Sequence, residues 1–140
     1  MKYIYIVLGF LYITSFTVLH GGRGRYIGDV YYYNDDNGDT YTTRKIGGID
    51  RTTGSNGYES TGRNIGGTYY LNDYKGNSTT TRSIGSVDYI DSSDGFSATV
   101  RRIGNVDYVN GSNGYSASGR TIGNTYYYTE EKTDWFSWPW

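Results

Sequence analysis

Arg25, Arg44, Arg63, Arg82, Arg101 and Arg120 stand 19 residues apart, and no other feature narrows the folds open to this chain so sharply. Two positions after each arginine comes Ile27, Ile46, Ile65, Ile84, Ile103 or Ile122, and a glycine follows every time. A fixed period of this length marks a repeat architecture, in which each unit is one supersecondary element packed on its neighbours. The units run over 25–43, 44–62, 63–81, 82–100, 101–119 and 120–138 of the 140 residues.

Each unit holds two turn signals. The first is the glycine of Arg-x-Ile-Gly with a small residue after it: Gly28-Asp29, Gly47-Gly48, Gly66-Gly67, Gly85-Ser86, Gly104-Asn105 and Gly123-Asn124. Glycine at the first central position is the mark of a type II′ hairpin. The second signal is Gly38, Gly57, Gly76, Gly95 and Gly114, usually after Asn or Asp; the sixth unit has Thr133 there. Runs of six to eight residues lie between the turns, a normal strand length. The chain therefore reads as all-β: an antiparallel meander of six hairpins, either an extended twisted sheet or a shallow or closed barrel. The 21 glycines and 18 tyrosines fit this, since Gly serves turns and Tyr favours strands.

A two-residue first turn fixes the cross-strand partners. The isoleucines face Val30, Ile49, Thr68, Val87, Val106 and Thr125. One step out, Lys45 faces Asp50 and Arg102 faces Asp107, and two steps out the six arginines face Tyr32, Arg51, Tyr70, Tyr89, Tyr108 and Tyr127. The second turn has to return each strand with its faces preserved. A three-residue loop does this, with glycine at its third position in a type I turn plus G1 bulge.

The invariant Ile/Val stripe is expected to be the core. The arginine column beside Tyr32, Tyr70, Tyr89, Tyr108 and Tyr127 has two readings. As a spine, it holds neighbouring hairpins in register through cation–aromatic contacts. As a ligand-binding stripe, it pairs arginine with an anionic polymer, a glycan or a lipid surface while tyrosine stacks. Trp135, Trp138 and Trp140 belong to an aromatic tail that caps the last hairpin, stacks on a sugar or seats at a membrane interface.

Residues 1–22 differ from the repeat domain at 23–140. After Lys2, Tyr3 to Leu19 carry no charge, which reads as a signal peptide or, uncleaved, a membrane anchor. The expected location is secreted, periplasmic or cell-surface. There is no cysteine and one histidine, His20, outside the repeats. Neither a Ser-His-Asp nor a Cys-His set is available there, nor a histidine metal site, so no enzyme and no cofactor is expected. The acidic stretch Asn34–Asp39 fails the EF-hand spacing and reads as an Asx-rich turn. A net charge of −1 gives no general attraction to nucleic acid.

The stretch Ile65 to Gly85, IGGTYYLNDYKGNSTTTRSIG, resembles choline-binding and related cell-wall-binding repeats in its tyrosine run, following glycine and returning Ile-Gly. It has no tryptophan, and Arg82 stands where those repeats have none. It is also similar to MORN repeats and to the β-flower class of shallow symmetric barrels, and it looks like short exported Gly/Tyr-rich bacterial proteins. Those resemblances imply a non-enzymatic hairpin array at the cell envelope that binds a polymer or a surface. A structural, self-associating scaffold is the alternative.

Overall fold

The computed structural model describes residues 21–131. The expected signal or anchor lies outside them except for Gly21 and Gly22, and the tail with Trp135, Trp138 and Trp140 lies outside altogether. Twelve strands follow one another: β1 (Gly22–Ile27), β2 (Val30–Asp35), β3 (Thr40–Ile46), β4 (Ile49–Gly54), β5 (Glu59–Ile65), β6 (Thr68–Asp73), β7 (Ser78–Ile84), β8 (Val87–Ser92), β9 (Ser97–Ile103), β10 (Val106–Gly111), β11 (Ser116–Ile122) and β12 (Thr125–Glu131). Each pairs antiparallel with the next, and β12 pairs with β1, so the meander is a closed barrel. Closure removes both sheet edges.

The closing joint repeats the register of the others. Arg25 faces Thr125 across β1 and β12, as Arg44 faces Val30 and Arg82 faces Thr68. The barrel is thus six equivalent hairpins around one axis, and corresponding residues form rings. Six Gly-X turns lie at one end. The longer turns lie at the other end, where β1 begins and β12 finishes.

The hairpin register is the one the spacing predicts, with Ile27 facing Val30 and Arg63 facing Tyr70. The turn type differs at the two Gly-Gly turns. Gly47 and Gly48 have φ of 58° and 81°, and Gly66 and Gly67 have 58° and 83°. Positive φ at both central positions is a type I′ turn, whereas type II′ is positive only at the first. The I′ twist matches the strong twist of paired strands in a closed barrel. At the other end, Gly38 N–H donates to the Asp35 carbonyl at 3.2 Å, Asp35 N–H donates to the Asp39 carbonyl at 3.0 Å, and Gly38 has φ of 90°. That is a three-residue loop closed by a G1 bulge.

The core is not the isoleucine stripe. The six repeat isoleucines are between 50% and 66% exposed, at the end with the Gly-X turns. The lumen is filled from the opposite face by Tyr31, Tyr33, Tyr41, Tyr58, Leu71, Ile90, Val100, Val109, Tyr126 and Tyr128. The reason is parity. Isoleucine shares its face with the repeat arginine, and six guanidiniums inside the barrel would each carry a desolvation cost of several kcal/mol. The arginine face stays outside and takes the isoleucines with it.

Candidate binding surface on the barrel rim

The outer wall is built in rings from the Gly-X end upward. The isoleucines form the first ring. Arg25, Arg44, Arg63, Arg82, Arg101 and Arg120 form the second, all exposed. Each arginine lies between two strands. Arg82 has Tyr89 on one side and Thr68 on the other; Arg101 has Tyr108 and Val87; Arg120 has Tyr127 and Val106. Arg25 faces Tyr32, and Arg44 faces Arg51. Tyr70, Tyr89, Tyr108 and Tyr127 are each roughly two-fifths exposed, and Tyr32 is half-buried. Equivalent arginines are two strand spacings apart, about 10 Å.

Tyrosine neighbours arginine in this ring but does not stack on it. Among the described residues the ring contact made by a cation is Lys75 over Tyr74, 5.7 Å from the centroid. The ion pair among them is Arg102 with Asp107, at 2.7 Å. The six repeat arginines take part in neither, so their guanidiniums face solvent. The expected Lys45–Asp50 pair is in register, but Asp50 accepts instead from the Tyr69 hydroxyl at 3.1 Å.

The acids lie elsewhere. Asp50, Asp88 and Asp107 point into the barrel, and the remaining described acids other than Asp29 occupy the far half. Asp35, Asp36, Asp39, Asp73 and Asp94 lie in or beside the three-residue loops there. Asp35 Oδ1 accepts from the N–H of Asn37 at 3.0 Å and of Asp39 at 2.8 Å; Asp73 does the same for Lys75 and Asn77, both at 2.9 Å. These are Asx turns, with the carboxylate committed to its own loop. A chain of net charge −1 therefore folds into a barrel with a basic end and an acidic end.

The interior follows a pairing rule that fixes the wall behind the arginines. Three repeats place glycine just before the arginine and tyrosine six residues after it: Gly24 with Tyr31, Gly62 with Tyr69, Gly119 with Tyr126. The other three place a β-branched residue and an aspartate there: Thr43 with Asp50, Thr81 with Asp88, Val100 with Asp107. The cause is steric. A Cβ at Gly24, Gly62 or Gly119 would sit 2.1, 2.0 or 1.9 Å from the hydroxyl oxygen of its repeat's tyrosine. Tyrosine lies across the glycine and reaches the preceding strand pair, where Tyr69 donates to Asp50 and Tyr126 donates to Asp107 Oδ2 at 3.2 Å. Asp107 also accepts from Arg102, Nε at 2.7 Å and Nη2 at 3.0 Å, and Ser83 donates to Asp88. Asp107 raises the Arg102 pKa through that hydrogen bonding. Burial holds the phenols of Tyr33, Tyr58, Tyr69, Tyr115, Tyr126 and Tyr128 above the ordinary value of 10, and pushes Tyr41 up to about 12.

Reading the repeat by sequence picked out the arginine and tyrosine rings, and the fold gathers them at one end. It missed the interior Gly–Tyr and β-branched–Asp pairing, although the covariation between those two positions is present in the six units. It also placed the isoleucines inside, which hid the apolar ring that borders the arginines. A depression of about 260 Å³ lies on the wall between Arg51, Glu59, Asn72 and Tyr74; its mixed charge sets it apart from the arginine ring.

Fold and surface together define a closed twelve-stranded barrel of six tandem hairpins with a basic, apolar-edged rim. No family model, no curated protein and no solved structure matches the chain.

Proposed function

We propose that the chain is an exported, non-enzymatic binding module of the cell envelope that holds an anionic surface against its arginine ring. One observation carries this reading: six equivalent, exposed arginines, outside the ion pair and the ring–cation contact of the described residues, are brought to one end of the barrel, while every described acid except Asp29 lies inside or at the other end. Regularly spaced guanidiniums suit a ligand that repeats its negative charge, such as an anionic polymer or glycan or a sheet of lipid head groups, because each can form a bidentate bond to phosphate or carboxylate. The bordering tyrosines add an apolar body and a polar tip to the same contact.

The test is retention on immobilised polyphosphate and on immobilised heparin, eluted with salt. Wild-type protein is expected to hold at low ionic strength and release as screening shortens the reach of the arginines. Arg63→Gln/Arg82→Gln/Arg101→Gln is expected to release at clearly lower salt from both. Equal elution of the two proteins would overturn the proposal.

A further inference from the structure

We infer that the anionic surface is a lipid bilayer, and that the barrel stands end-on to it with the isoleucine ring in the interface and the arginine ring at phosphate level. This rests on the binding reading above and gives it a partner and an orientation.

The isoleucines carry the inference. A soluble barrel needs no apolar residue at its open end, yet all six repeats place isoleucine there at half to two-thirds exposure. Val30, Val87 and Val106 stand beside them on the same face, half-buried. At ~4.8 Å between strands, twelve strands put this ring on a circle roughly 20 Å across. An apolar ring of that size, rimmed by charge, marks an interaction site. A soluble polyanion would satisfy the arginines and leave the isoleucines in water. A bilayer satisfies both, because its apolar region lies just below a plane of phosphates and the two rings lie in the same order on the barrel. Tyr70, Tyr89, Tyr108 and Tyr127 then fall at head-group level, where amphipathic rings are favoured.

Two further observations fit the end-on pose. The acidic loops lie at the opposite end, so the barrel's charge separation points it rim-first at a negative surface. Strand β1 starts and β12 stops at the acidic end, which leaves the isoleucine end free of both chain connections. The barrel does not span the bilayer. Its strands are six or seven residues long, where a membrane strand needs ~9–11, and Thr42, Thr61, Thr80 and Thr99 continue the outer wall above the tyrosines. This is contact through one end.

The full-length chain, which has no cysteine, permits a direct test. An environment-sensitive fluorophore is attached at Asn105→Cys, in a Gly-X turn, or at Asn37→Cys, in an acidic-end loop. Each protein is mixed with vesicles of phosphatidylglycerol or of phosphatidylcholine. The label at residue 105 is expected to brighten and shift to the blue on phosphatidylglycerol alone, and the label at 37 to stay unchanged. Attachment through residues 3–19 would not bury residue 105, so the readout separates docking from tethering. In the 105-labelled protein, Arg63→Gln/Arg82→Gln is expected to weaken the response about 25-fold, taking about fivefold per arginine near an anionic surface. Ile65→Ser/Ile84→Ser is expected to weaken it several-fold while leaving retention on polyphosphate intact. No response at residue 105, or an isoleucine variant that responds like the parent, overturns the membrane inference. If polyphosphate retention survives that result, the anionic-surface reading stands without the bilayer; if it is lost as well, both fall.

Discussion

Gly62→Ala should be among the most damaging single-methyl changes in this barrel. Gly62 has no positive φ, so the added methyl brings no backbone strain and acts only by its volume. Its Cβ would stand 2.0 Å from the Tyr69 hydroxyl oxygen and 2.5 Å from Cζ, where an ordinary contact is beyond about 3.4 Å. Tyr69 must withdraw by more than about 1 Å, and its 3.1 Å bond to Asp50 is lost. Overpacking costs about 1–3 kcal/mol. Losing a hydrogen bond to a carboxylate costs about 1.5–3 kcal/mol. Gly62→Ala is therefore expected to destabilise by about 3–5 kcal/mol. Tyr69→Phe alone removes only the bond, for about 1.5–3 kcal/mol. The ring carbon Cζ clashes as well as the oxygen, but both single variants lose the same bond, so the double variant should cost about 1.5–2 kcal/mol less than the two singles together. Guanidinium unfolding followed by far-ultraviolet circular dichroism measures all four proteins. A cost below ~1 kcal/mol for Gly62→Ala, or strict additivity, would refute the steric basis of the pairing.

Two other expectations follow from the same interior. Tyr33, Tyr58, Tyr69 and Tyr126 have phenols raised by burial, so their contribution to stability is complete below pH 10, where folded and unfolded chains both keep the proton. Above pH 10 the unfolded chain ionises first, and stability falls by about 1.4 kcal/mol per pH unit for each such tyrosine; the barrel should open cooperatively in mild alkali, with phenolate absorbance at 295 nm and loss of strand signal rising together, and full ionisation of an intact barrel would contradict this. Cysteine placed at Ile46, 62% exposed, should react with a thiol reagent almost as fast as a free thiol, whereas cysteine at Ile90, 2% exposed, should be protected at least ~100-fold. Equal reactivity would mean that the faces have been assigned the wrong way round.

The repeat was enough to predict hairpins, partners and bulges, because those depend on spacing and on glycine. Arg44 opposite Arg51, and Arg102 opposite Asp107, follow from a two-residue turn alone. Which face turns inward depends on closure, a property of twelve strands together that no single unit contains. Invariance suggested that isoleucine was core, but the lumen is lined by the variable positions, where Tyr31, Asp50, Tyr69, Asp88, Asp107 and Tyr126 differ from unit to unit. A ring of identical tyrosines could not fill one cylinder without colliding, so the interior needs variety. The outer rim faces solvent six times over and can remain uniform. At Gly47-Gly48 and Gly66-Gly67 the turn type departs from the expected one because glycine first and a small residue second suits both primed turns, and the distinction lies in the φ of the second residue.

Whether the arginine ring is a surface or a spine is settled most directly by the thermal midpoint of Arg63→Gln/Arg82→Gln/Arg101→Gln. Exposed side chains outside any network leave stability nearly unchanged when replaced, so the midpoint should lie within about 2 °C of the parent. Three cation–aromatic contacts of ~1 kcal/mol each would instead lower it by about 10 °C or more, and that result would contradict the binding surface described here.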